Sequence, residues 1–276
     1  MRADNGCGIG ERQGEHKVWQ SRDVYESLAL VTAAFTDDRI LGGRIALRQP
    51  AKGYRAGLDA ALLAAACDAS AGARVVEAGC GVGAALLAAA VRSPEALFVG
   101  VERDAAAAAL ARHNVAANGL AHRIEVLEAD IAAGFRPPGA PFDAALCNPP
   151  FFDDPTTLRV PLPAKRGAHL ADAGLAAWTA WLAKAVLDGG TITVIHRADR
   201  LADLLALLGA KTGSLQVRPI QPFADEPAGR VVVRAVRGGK APLRLLPALV
   251  LHERGGAKHA AAAEAILRGE ATLPWL

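Results

Sequence analysis

Residues 74–92 read Arg74-Val-Val-Glu77-Ala78-Gly79-Cys80-Gly81-Val82-Gly83, followed by Ala84-Ala-Leu-Leu-Ala-Ala-Ala-Val-Arg92. Arg74–Ala78 has the short, apolar, β-branched composition of a buried strand, and Ala84–Arg92 is made of strong helix formers. The three glycines between them permit a tight bend and close approach of a ligand to the backbone. The helix start beyond offers unpaired N–H groups to an anion.

Outward from this turn, strand and helix signals alternate. Strands are expected at Ala96–Glu102, Ile124–Glu128, Phe142–Cys147 and Thr191–His196, with helices at Ala105–Ala117, Leu170–Leu187 and Arg200–Leu208. Such alternation implies right-handed crossovers and a parallel sheet covered on both faces. Leu215–Ile220 and Arg230–Val236 follow without a helix between them and add an antiparallel edge strand. The fold class is therefore α/β and doubly wound. Upstream, Ile40–Arg48 alternates around Gly42-Gly43 as one short strand, Gln49-Pro50 breaks it, and Gly57–Cys67 is an alanine-rich helix. Residues 1–36 read as a poorly ordered extension with a short helix near Val24–Ala34, and residues 37–276 as one domain.

An apolar fraction of 52% against 21% charged residues excludes disorder or fibre for the bulk of the 276-residue chain. The longest apolar stretches are too short for a membrane helix, and Met1–Glu15 lacks the apolar core of a signal peptide. Cys7, Cys67, Cys80 and Cys147 form no C-x-x-C pair, which suits a reducing cytosol and offers no metal ligand cluster. The expected location is cytoplasmic. Residues 1–154 carry 15 basic and 19 acidic side chains (−4), and residues 155–276 carry 16 and 9 (+7). The basic half implies an anionic partner such as nucleic acid, or solvated arginines in an Arg-rich chain.

Taken alone, Gly79-x-Gly81-x-x-Ala84 also fits a dinucleotide loop. Glu77 favours a different ligand, because an anion there repels a pyrophosphate and attracts the sulfonium and ammonium end of S-adenosylmethionine (SAM). Glu102 closes the second strand, placed to accept from ribose hydroxyls. Asp130 is placed to accept from an adenine amino group, or to cap a turn. Asn148-Pro149-Pro150-Phe151 directly follows a strand, where an open α/β sheet binds ligands. Its prolines stiffen the backbone and remove two N–H donors. The Asn148 side-chain oxygen and the Pro149 carbonyl are then positioned to accept both hydrogens of a planar amine. Phe151 offers a face on which an amide or a flipped base stacks. Cys80 and Cys147 read as packing residues, and His196 as structural.

This motif pair, over roughly Arg74–Val236, resembles the SAM-dependent amino-group N-methyltransferases, and so implies their seven-stranded Rossmann-like sheet. Leu41-Gly-Gly-Arg-Ile, Gln49-Pro, Gly53-Tyr54-Arg55-Ala-Gly57-Leu-Asp59 and the tail Leu243–His252 resemble more narrowly the bacterial tRNA1(Val) adenosine-37 N6-methyltransferases. Phe151 stands where many relatives carry tyrosine. The resemblance implies SAM as cofactor, a tRNA substrate, no membrane or obligate protein partner, and Tyr54 and Asp59 at the cofactor or substrate mouth. Lys165, Arg166 and His169, extended by Arg230, Arg234, Arg237 and Lys240, form the candidate RNA-contacting patch. Rival readings are a protein-glutamine N5-methyltransferase, a ribosomal-RNA guanine N2-methyltransferase and, remotely, an NAD-dependent oxidoreductase.

Overall fold

The structure, a computed structural model, describes residues 34–52, 55–150 and 164–275, with residues 164–173 as helix backbone only. β1 (Phe35–Ile40) and β2 (Ile45–Pro50) form an antiparallel hairpin. The expected single strand Ile40–Arg48 is thus the end of β1, a turn and most of β2, which runs on through the expected break at Gln49-Pro50. Leu41, Gly42 and Gly43 take positive φ (55°, 65°, 86°), which no strand accommodates. Phe35 and Thr36, assigned to the extension, open β1; residues 1–33 of that extension lie outside the described residues.

The main sheet contains β3 (Arg74–Ala78), β4 (Leu97–Glu102), β5 (Ile124–Glu128), β6 (Phe142–Cys147), β7 (Val186–Arg197), β8 (Thr212–Gln221) and β9 (Arg230–Arg237). Two short strands, β10 (Arg244–Leu245) and β11 (Leu249–Val250), both pair with β8. The order is β10-β8-β9-β7-β6-β3-β4-β5. β9 runs antiparallel to β7 and β8, and the β3–β7 pairings are parallel. The mostly parallel, doubly wound α/β sheet expected from the sequence is therefore present. The chain leaves β3 toward β4 and β5, then returns to β6 on the other side of β3. That reversal opens a crevice at the carboxyl edge of β3.

The helices are α1 (Leu58–Ala65), α2 (Ala84–Arg92), α3 (Ala105–Ala117), α4 (Ala164–Ala185), α5 (Leu201–Gly209) and α6 (Ala261–Arg268). Strand alternation sends Val75 to one core layer and Val76 to the other. Residues 84–90 of α2 are all buried, because α1 and the sheet enclose the helix and its alanines allow close approach. Phe98 and Phe142, in opposite layers, are almost fully buried. Each contributes up to about 3 kcal/mol of burial.

Asn114 of α3 and Asn118, the residue that caps its end, hold the hairpin. Asn118 and Asn114 pair with the N–H and C=O of Ala46 and Arg48 respectively, at 2.7–2.9 Å. Asn114 also donates to the Val82 carbonyl in the glycine loop. At the other end of the chain, Arg92 donates to the Ile266 and Ala271 carbonyls and Arg218 to those of Pro247 and Pro274. Leu273 N–H and Trp275 Nε1 donate to the carbonyls of Ala65 and Ala66. Among the described residues no helix is long and apolar enough to cross a membrane.

Candidate donor and acceptor site

The three loop glycines serve three ends. Gly79 (φ +65°) lies beneath the Trp178 indole, whose Cη2 would stand 2.4 Å from an added Cβ. Gly81 (φ +54°) faces open space, so a ligand can approach its backbone. Gly83 (φ +85°) starts α2 and faces Ala111 of α3, 3.4 Å from an added Cβ. The N–H groups of Gly79 and Cys80 both donate to the Val101 carbonyl at the end of β4. In β4, Gly100 leaves room for Cys80 Sγ, 2.7 Å from an added Cβ. Trp178 was invisible to sequence reading, because nothing in its own helix signals contact with a distant loop.

Glu102 braces the loop from β4. Its Oε2 accepts from Gly81 N–H at 2.9 Å and its Oε1 from Asp104 N–H at 2.8 Å. Each oxygen keeps a second lone pair for a hydroxyl donor. Asp130 Oδ1 accepts from Ala132 N–H at 2.8 Å and caps a 3₁₀ turn at Ile131–Ala133, the local alternative already open in the sequence. Its other oxygen has no protein partner in that cap.

Glu77, expected to act as an anion toward the donor, lies in the interior. It is only 3% exposed and accepts from the Leu86 N–H in the first turn of α2. Burial, reinforced by the Glu102 charge, raises its pKa well above the usual carboxylate range and favours the neutral form. Oε2 remains buried without a hydrogen-bond partner. Burial likewise raises the thiols of Cys80 and Cys147, and that of Cys67 to about 12, as expected of packing cysteines rather than nucleophiles.

The acceptor motif sits beside the loop. Ala78 of β3 pairs with Cys147 of β6, so Gly79 and Asn148 are the next residues on adjacent parallel strands. Strand spacing puts their backbones roughly 5 Å apart. Asn148 and Pro150 are half-buried and Pro149 is buried. Phe151 lies outside the described residues, as do Tyr54 and the side chains of Lys165, Arg166 and His169. The backbone at 165–169 belongs to α4, which begins at Ala164, ahead of the expected Leu170.

Asp59 and Arg230 are brought together, the Arg230 Nε lying 3.1 Å from Asp59 Oδ2. Arg234, four residues further along the same face of β9, pairs with Asp68 at 3.3 Å, and Arg237 with Asp188 at 2.8 Å. Among the described residues no His, Cys, Asp or Glu group is arranged to hold a metal ion.

Residues 55–164 match the family described as Methyltransferase small domain. With its glycine loop at the strand-order reversal and the Asn-Pro-Pro motif beside it, the fold is that of the SAM-dependent methyltransferases. It is 38% identical over 99 residues to a tRNA1(Val) (adenine(37)-N6)-methyltransferase of Actinobacillus succinogenes, and 38% over 101 residues to one of Bacteroides thetaiotaomicron. Each match spans 36% of this chain and 42% of the relative, so less than half of those proteins is covered. A crystal structure described as a "predicted O-methyltransferase" from Agrobacterium tumefaciens superimposes with a TM-score of 0.64 at 28% identity, covering 78% of this chain and 97% of that one. The chain is thus similar to the methyltransferase small domain over residues 55–164, and over about a third of its length to part of the tRNA1(Val) (adenine(37)-N6)-methyltransferases.

The site fits SAM as cofactor. Gly81 opens to solvent, Glu102 retains acceptor capacity beside it, and Glu77 leaves a buried oxygen unpartnered.

Proposed function

We propose that this protein methylates the N6 amino group of an adenosine in a tRNA anticodon loop, position 37 of tRNA1(Val) in the matched relatives, with SAM as donor. The supporting observation is the side-by-side placement of Gly79 and Asn148 on paired strands. A donor resting on the glycine loop then faces an amine gripped by Asn148. A loop base is unstacked at lower cost than one in a duplex, and the basic second half of the chain suits an RNA.

Bound SAM supplies an electrophilic methyl on a sulfonium with a good leaving group built in. The chain's own residues supply orientation, which is worth roughly 7–11 kcal/mol when geometry is right. Asn148 Oδ1 and the Pro149 carbonyl accept the two amino hydrogens and draw the nitrogen lone pair out of conjugation with the ring. Both hydrogen bonds strengthen as the nitrogen becomes positive, so they stabilise the transition state more than the ground state. The N–C bond forms as the C–S bond breaks, and the surplus proton then leaves the nitrogen for solvent. Glu102 holds the ribose hydroxyls, and Phe151 stacks on the base.

Incubation with methyl-labelled SAM tests the reading, with total RNA in one tube and total protein in another. Label in RNA that digests to N6-methyladenosine is the expected result. Label in protein glutamine or in guanosine N2 overturns the assignment in favour of the corresponding rival.

A further inference from the structure

Past β7 the ligand edge of the sheet continues over β9 and β8. Arg197 at the end of β7 pairs with Arg230 at the start of β9, which pairs with Ile220 near the end of β8. A pocket of about 380 Å³ lies there, walled by Leu58, Pro222 and Leu251 and bearing Arg55, Asp59 and Arg230. The strand order β9-β7-β6-β3 sets Arg230 three strands from the glycine loop, roughly 14 Å at the usual strand spacing. The strand of Asn148 stands between them. Asp59, fixed to Arg230, is therefore across the acceptor motif from the glycine loop.

The loop residues next to this pocket are aromatic, and the Arg254 guanidinium among them is paired with Asp225 and Glu226. One residue beyond Pro222 and Leu251, Phe223 and His252 lie with ring centroids 5.5 Å apart, and His252 stacks on His259 at 5.1 Å. The Arg254 guanidinium covers Phe223 at 4.4 Å from the ring centroid. His259 Nδ1 is buried without a hydrogen-bond partner. Apolar walls, adjoining flat rings and two guanidiniums, Arg55 held by Asp38 and Arg230 by Asp59, suit an unstacked nucleotide of single-stranded RNA.

We propose that this pocket is a second nucleotide subsite, receiving a nucleotide that flanks the methylated one in a single-stranded RNA. Its base lies on the Leu58–Pro222–Leu251 wall, Asp59 accepts from the base's N–H edge, and Arg55 and Arg230 face the backbone phosphate. The inference rests on the RNA reading above and adds the residues that hold the substrate beside the reacting base.

The test uses the full chain and a synthetic anticodon stem–loop RNA with adenosine at the target position. Abasic residues replace each loop neighbour of that adenosine in turn. One such replacement should raise the wild-type KM by about tenfold, the loss of one base contact. Arg230→Gln and Asp59→Asn should raise the KM for intact RNA by about five- to tenfold while leaving the SAM Kd unchanged. Each should also make the enzyme indifferent to the abasic replacement. Arg230→Gln should in addition lower the slope of log K against log salt by about 0.7, one single-strand phosphate contact. Arg55→Gln, at an exposed position, provides the same reading should either substitution at the Asp59–Arg230 pair fail to fold. Wild-type enzyme indifferent to every abasic replacement overturns the subsite. So do variants that raise the SAM Kd and leave the RNA KM and salt slope unchanged. If wild-type enzyme fails to methylate any RNA, the parent reading falls first; methylation of the stem–loop with no subsite signature overturns this inference alone.

Discussion

The two sides of the β3–β6 boundary are built differently. On the donor side, the glycine loop is fixed by short backbone-directed bonds from the adjacent strand, through Val101 and Glu102, with Trp178 closing over Gly79. On the acceptor side, the groups come from far apart in the chain, Asp59 with Arg230 across 171 residues, and join through partly exposed ion pairs. Exposed pairs contribute little to stability, typically below about 1 kcal/mol, so that side is held more by the sheet beneath than by its own charges. Under the proposed reading, a closely bonded glycine loop beside a surface joined by ion pairs would suit one invariant small ligand and one large, irregular one.

The sharpest way to break this contrast is Asn148→Ala. Turnover should fall by about 10²–10³ while the SAM Kd stays within about twofold, since only the acceptor side loses a contact. A large rise in SAM Kd from isothermal calorimetry would mean that the two sides are not separable. Gly79→Ala should come next, because it strains a positive φ and drives a methyl into Trp178. A loss of about 2–3 kcal/mol in urea unfolding is expected. Pairing it with Trp178→Leu should recover part of that loss, which a double-mutant cycle measures. Glu102→Ala frees the Gly81 N–H and removes an acceptor for the donor's hydroxyls. It should weaken SAM by about tenfold or more with little change in the RNA KM.

Glu77→Gln has the smallest expected effect and the most diagnostic pH profile. Because burial raises the folded-state pKa above the unfolded value near 4.5, the wild type gains stability below that value. It loses this stability as pH rises through the folded-state pKa. The variant carries no such penalty, so its Tm relative to wild type should be higher at pH 8 than at pH 4. A gap that narrows on going from pH 4 to pH 8 would show that the carboxyl works as a charged group.

Much of the donor half was legible because its signals are local. A β-branched strand, a glycine turn, an alanine helix and an acid at the next strand end each follow from neighbouring residues. The burial of Glu77 was not legible along the chain. Strand alternation turns it inward under α2, where Leu86 N–H meets it, and no pattern along the chain marks that. The hairpin was missed because Leu41, an unlikely residue for positive φ, shares the turn with Gly42 and Gly43. β10 and β11, two residues each, are too short to show a period, and they exist only because β8 offers them an edge. Asp59 read as a helix-start acid or a mouth residue; its placement depends on β9, which lies most of the chain away.

Residues 266–275 also govern when the protein can finish assembling. Until they leave the ribosome, the Arg92 guanidinium and the end of α1 lack the carbonyl and donor partners that Ile266, Ala271, Leu273 and Trp275 provide. Synthesis is slow relative to local folding. A nascent chain with a formed glycine loop but no stitched rear layer would therefore persist until translation of this segment is complete, and trimming it should yield protein captured by chaperones rather than a smaller working enzyme.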